Sequence, residues 1–311
     1  MARSGAAGPP STERSRRRRH RPKRTAWEPT RCSVAKCIFV PIARPVIAAL
    51  LWSCLTVHAS SQTPAETPDR SALRVCADPS GLPFSNDKGD GFENKVAELL
   101  ARKLGVPLQY TWYPNSVGFL RNTLRARRCD LVPGIVSGAE LVLSTNPYYR
   151  SSYVMVTRRA DALGIDSIGD PRLAALRIGV TAGTPPADLV AQRGLMARVR
   201  PYHLQVDTRA EAPGKQMIDD LAAGQLDVAI LWGPIGGYFA RQHGDTMQVS
   251  PLLKEPKSTR MSFHIAMGVR PGEAEWKNTV NQLLQDDQGA INDILRAYGV
   301  PLLDARDNPL P

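Results

Sequence analysis

The sequence predicts an α/β protein of two lobes, with parallel-rich sheets and hinge strands that cross between them. Three observations predict it. Leu73, Val75 and Ala77 alternate with Arg74 and Cys76 in the period of a strand, which runs through a turn-rich loop into a helix with one apolar face (Phe92, Val96, Leu99, Leu100, Leu104). The same strand–loop–helix order restarts near Leu173–Val180. Late in the chain, Met261–Val269 reads as a returning strand followed by two helices. A loop at the carboxyl end of a strand is where open α/β sheets keep their ligand crevices.

The first residues are set apart by charge. The chain has 311 residues and a formal charge of +11. Residues 1–60 hold 12 Lys/Arg against 2 Asp/Glu, so the remainder is close to neutral, with 28 basic and 27 acidic residues. The basic character therefore belongs to a leader, which argues against a nucleic-acid partner. Arg16–Arg19, Arg21, Lys23 and Arg24 form a basic n-region and Val46–Val57 an apolar h-region; cleavage is expected after Ala59, giving a periplasmic protein. The apolar run is shorter than the ~20 residues of a membrane span, so none is expected after processing. Residues 60–71 read as a flexible lead-in.

Export leaves two cysteines, Cys76 in the opening strand and Cys129 beside the run Leu131–Val136. In an oxidising compartment the expectation is a disulfide between them, stabilising by about 4 kcal/mol. Two thiols without a histidine cluster do not make a metal site. Asp78, Asn86, Asp87 and Asp90 do not fit a calcium loop either, because Lys88 stands where a ligand oxygen is needed. No metal or cofactor is expected.

Onward from the first helix, Val106–Tyr113 reads as a strand, Val117–Arg128 as a helix, Leu131–Val136 and Ser152–Thr157 as strands. Arg121, Arg125, Arg127 and Arg128 are expected to form a solvated outer face. The second unit offers strands at Arg198–Leu204 and Asp227–Leu231, a helix Gly214–Ala223 stopped by Gly224, and a helix from Pro234 to Gln242 with proline in its first turn. Helices at Glu273–Gln285 and Asp287–Tyr298 close the chain, and residues 304–311 are expected to fray.

RVCAD, GFENKVAELLARKLG, NPYYRSSYVMV, RIGVTAGTP and LAAGQLDVAILW together resemble a type II periplasmic solute-binding protein over about residues 72–303. The resemblance implies lobe 1 from 72–158 plus 262–303 and lobe 2 from 159–261, with crossings near Arg158–Ala160 and Arg260–Met261. Within it, RVCADPSGLPFSNDKGDGFENK, YTWYP, GFLRNTLRARRCDLVPG and NPYYRSSYV are similar to the MoxJ/XoxJ-type branch associated with quinoprotein dehydrogenases, and the Cys76/Cys129 pair fits that branch. This implies a non-catalytic partner of a pyrroloquinoline-quinone (PQQ)-dependent methanol dehydrogenase.

Amino-acid-binding relatives hold the ligand carboxylate with an arginine after the third strand, a helix N-terminus in lobe 2, and the ligand ammonium with an acid. Here residues 136–144 contain no Arg or Lys, Thr184 is followed by Pro185 and Pro186, and Trp232 stands in the acid's place. The candidate cleft or partner-surface residues are Asp78, Phe84, Asn86, Trp112, Tyr113, Ser137, Tyr148, Thr181, Thr184 and Trp232. Phe84, Trp112 and Trp232, beside turns, suit an apolar pocket or a protein interface. The alternative function is a solute receptor of an importer for an uncharged or aromatic molecule. An enzyme would need a positioned acid or base, for which Glu93 and Glu140 are the candidates.

Overall fold

Lobe 1 opens with β1 (Leu73–Ala77), the small hairpin β2 (Ser80–Gly81) and β3 (Ser85–Asn86), and α1 (Phe92–Leu104). It continues through β4 (Leu108–Trp112), α2 (Phe119–Asn122), β5 (Val132–Val136), β6 (Leu143–Ser144) and β7 (Tyr149–Arg158). Lobe 2 contains β8 (Ile178–Thr181), α3 (Pro185–Gln192), β9 (Val199–Tyr202), α4 (Pro213–Ala222), β10 (Val228–Trp232), α5 (Gly233–Gln242) and β11 (Met247–Pro251). β12 (Ser262–Val269), α6 (Ala274–Asp286) and α7 (Gln288–Ala297) return to lobe 1. This computed structural model describes residues 70–311, so the expected leader, its cleavage after Ala59 and nearly all of the lead-in lie outside the described residues.

The two lobes repeat one strand order. In lobe 1, β1 pairs in parallel with β4 and, through the bridge Val75–Leu131, meets the chain entering β5. In lobe 2, β8 pairs in parallel with β9 on one side and β10 on the other. The returning strands are antiparallel: β12 to β5, and β7 to both β12 and β10. β7 serves both lobes, since Tyr149–Ser152 pair with β12 and Tyr153–Val156 with β10. β7 thus exchanges β12 for β10 between Ser152 and Tyr153, inside the strand.

The cores follow from this layering. α1, α6 and α7 bury Phe92, Leu100, Trp276, Val280, Ile291 and Leu295 against lobe 1, while Phe119, Leu124, Val132 and the two cysteines fill the opposite face. Gly105, in the left-handed region at φ 69°, ends α1, as its position predicts.

Two expectations are corrected. The helix expected over Val117–Arg128 is a single turn, α2, followed by tight turns. Thr123 donates its hydroxyl back to the Phe119 carbonyl (2.6 Å), and Arg127 takes φ +57°, which no α-helix allows. The chain must also deliver Cys129 to Cys76, with which it forms the expected disulfide (Cα–Cα 5.5 Å). The tail, expected to fray, is held. Asp307 takes a hydrogen bond from Arg150 at 2.7 Å, Leu303 bridges to Pro309, and Leu302 and Leu303 are buried.

Candidate functional site

The loop between β1 and α1 spends its polar groups on itself. Asp78, 6% exposed, accepts the Ser80 amide (2.8 Å) and the Asn115 amide (2.7 Å). Its backbone is tied through the Ser85 hydroxyl. Asn94, in the first turn of α1, accepts from the Asn86 and Gly91 amides, both at 3.0 Å, so one side chain pins the loop and caps the helix. Asn86 is itself buried and bonded to Asp90 on both its amide nitrogen and oxygen, and Phe84 packs edge-on to Phe92 at 5.3 Å. Both residues act as framework of the loop.

Asp78 also reaches the other lobe. The Thr208 hydroxyl lies 2.7 and 2.9 Å from its two carboxylate oxygens, a contact between the β1–α1 loop and the segment after β9. On the far side of the hinge, Arg241 of α5 donates to the Arg296 and Ala297 carbonyls at the end of α7, and Tyr238 stacks on Tyr298 at 5.8 Å. The lobes are therefore fastened on both sides of the crossing strands.

Beneath the loop lies a buried polar cluster. Glu93, at the second position of α1, is 7% exposed; burial first, and then the neighbouring Asp78 charge, push its carboxyl up from 4.5 to about 8. Gly134 of β5, at φ +72°, leaves the space its carboxyl occupies, since any Cβ there would run into Oε1. Burial likewise holds the Tyr148 and Tyr149 hydroxyls well above the ordinary tyrosine range. The Tyr110 hydroxyl meets the Asn94 side chain, and the Tyr148 hydroxyl meets the Gly134 backbone. Glu140, the other acid considered for catalysis, is exposed on the turn after β5.

The centre of the crossing is aromatic. Trp232, at the end of β10, meets Tyr153 of β7 edge-on at 5.3 Å and Phe263 of β12 at 5.9 Å; Tyr153 and Phe263 are 6.2 Å apart. The three rings come one from each strand at the crossing. At the start of α3, Thr184 is buried and turns its hydroxyl back to the Thr181 carbonyl (2.6 Å), while Pro185 and Pro186 supply no amide hydrogens. Ser137 keeps a buried hydroxyl without a partner among the described residues. Trp112 stacks on Tyr110 at 4.4 Å, and the Tyr113 hydroxyl accepts from Asn122 at 3.0 Å. Among the described residues no group of three or more His, Cys, Asp or Glu gathers as a metal site, and no helix is long and apolar enough to cross a membrane.

This geometry, a two-lobed scaffold with β7 and β12 as crossing strands, agrees with a family match over residues 73–299 to the bacterial extracellular solute-binding proteins, family 3. The chain belongs to that family. Within it the chain is of the MoxJ/XoxJ-like type. It is 30% identical over 262 residues to Protein MoxJ of Methylorubrum extorquens, covering 80% of this chain and 87% of that protein. Protein MoxJ of Paracoccus denitrificans is 27% identical over 76% of this chain and 90% of its own. The crystal structure of periplasmic binding protein XoxJ from Methylobacterium extorquens AM1 superposes with a TM-score of 0.63 at 41% identity, covering 75% of this chain and 99% of that one.

Sequence reasoning named Asp78 and Trp232 but missed their partners. Thr208 sits in an irregular segment with no pattern around it, far from Asp78 in sequence. Tyr153 and Phe263 were visible only as members of apolar strands; Phe263 alone lay near an expected crossing, Arg260–Met261.

Proposed function

We propose that this chain is a non-catalytic periplasmic accessory protein of a PQQ-dependent methanol dehydrogenase system, binding the dehydrogenase or aiding its maturation. The observation that carries the reading is the Trp232–Tyr153–Phe263 cluster, three rings where the family resemblance leads one to expect an acid for a ligand ammonium. Three further features support it: no Arg or Lys lies in residues 136–144, two prolines start α3, and Asp78 bonds to Thr208. A scaffold that has lost its ligand anchors while keeping its fold is suited to present a surface. The likeness to MoxJ and XoxJ supports the same direction.

The test is deletion of the gene followed by assay of methanol dehydrogenase activity and PQQ content of the periplasm; unchanged activity would refute the reading. A receptor is the second reading, favoured by the buried Ser137 hydroxyl, which has no partner among the described residues. Screening small polar and aromatic molecules by thermal shift decides it, because a true ligand at 100 times its Kd stabilises by about 2.7 kcal/mol.

A further inference from the structure

The turn that replaces the expected helix carries the densest unpaired charge of the described chain. Arg121, Arg125, Arg127 and Arg128 are four arginines in eight residues, all exposed, and none forms an ion pair among the described residues. No Asp or Glu occurs between Glu98 and Asp130. Those two bordering acids are already engaged, Glu98 by Lys95 at 3.2 Å and Asp130 by Arg74 at 2.7 Å and Arg270 at 2.6 Å. Elsewhere, exposed arginines such as Arg172, Arg177 and Arg209 hold their own aspartate partners.

The frame beneath these charges is fixed. Leu124 is fully buried, the Arg125 amide donates to the Leu120 carbonyl, the Arg128 amide donates to the Thr123 carbonyl, and the Arg128 carbonyl accepts from Thr111. The next residue, Cys129, is bonded to β1. Beside the turn stand Val117, 79% exposed, and the half-buried Tyr113.

We infer that this arginine turn is the docking surface for a carboxylate-rich face of a protein partner; resting on the function proposed above, that partner is the dehydrogenase. Unpaired arginines on a rigid loop present planar forks that match carboxylates without ordering a flexible chain. A mixture of arginine, tyrosine and an exposed aliphatic side chain is the composition of protein interfaces. A nucleic acid would be drawn by net charge, which residues 61–311 lack.

The experiment measures binding of the purified mature protein to the purified PQQ-dependent methanol dehydrogenase of the same organism. It compares low salt (about 20 mM NaCl) with roughly ten times that concentration. R125E/R128E should slow association at low salt by about tenfold or more and flatten the salt dependence. R193E/R198E, the same charge change on exposed arginines of lobe 2, should leave binding unaltered. R121Q/R127N removes charge without reversing it and gives residue 127 an asparagine, which accepts positive φ; it should weaken binding less, and its melting temperature serves as the folding control.

Equal affinity of wild type and both arginine-turn variants would overturn the docking surface while leaving the proposed function standing. Absence of wild-type binding, with dehydrogenase activity unaffected by deletion, would overturn both. Arginine-dependent binding to phosphatidylglycerol vesicles, without binding to the dehydrogenase, would assign the turn to a membrane surface and overturn the inference.

Discussion

β1 with α1, and β8 with α3, stand at the same place in their lobes. Each strand is flanked in lobe order by parallel neighbours, β4 and β5 in one case, β9 and β10 in the other. The connections differ. In lobe 1 a long loop folds into its own hairpin, buries Asp78 against the Ser80 and Asn115 amides and Asn86 against Asn94, and has a disulfide behind it. In lobe 2 three residues, Ala182–Thr184, lead directly into two prolines. Even the second helical position differs, a buried carboxyl at Glu93 against Pro186. Both connections have withdrawn their donors from the cleft, one by using them internally and the other by lacking them.

If the lobe 1 connection is rigid because it is stapled, breaking the staple should produce the largest effect. C76S/C129S is expected to lose about 4 kcal/mol, the chain-entropy value for a loop of sequence separation 53, read by chemical denaturation. Lobe 2, without a disulfide among its described residues, offers no comparable lever.

Glu93 sharpens the contrast through pH. Its folded pKa is raised from 4.5 to about 8, so the native state holds a proton that the unfolded chain gives up first. Stability contributed this way is present at low pH and is lost as pH rises from 4.5 towards about 8. Denaturation between pH 5 and pH 8 should show a decline on the order of 3 kcal/mol in the wild type. E93Q should flatten that decline, and a wild-type profile as flat as the variant's would refute the assignment.

A pair of glycine substitutions compares the loops directly. A Cβ at Gly91 would collide with the Phe84 backbone, so G91A should cost about 2–3 kcal/mol. At Gly183 of lobe 2 there is open space and only the positive φ of +71° to oppose alanine, so G183A should cost about 1 kcal/mol. Equal costs, measured by thermal melting, would mean the opening loop yields more than its hydrogen bonds suggest.

The smallest effect is expected between the lobes. T208V removes one hydroxyl from Asp78 while leaving two amide donors, and should cost about 1 kcal/mol. Its second readout is small-angle scattering: an increase in radius of gyration would identify this contact as what holds the cleft shut.

The sequence by itself determined most of the longer strands and helices, though not β2, β3, β6 or β11, because strand and helix periods are local and survive in windows of a few residues. It also showed that residues 136–144 hold no arginine or lysine and that Thr184 is followed by two prolines, since these are matters of identity. The disulfide was legible from the expectation of export, which would leave Cys76 and Cys129 as the two cysteines. Tertiary structure alone decided that Val117–Arg128 is not a helix, because the cost of Arg127 at positive φ is set against a distant covalent constraint. It alone brought Thr208 to Asp78 and Trp232 to Tyr153 and Phe263, and turned a tail expected to fray into one fastened by Arg150. These contacts join residues far apart in the chain, so their energy depends on how the lobes close, which no local pattern records.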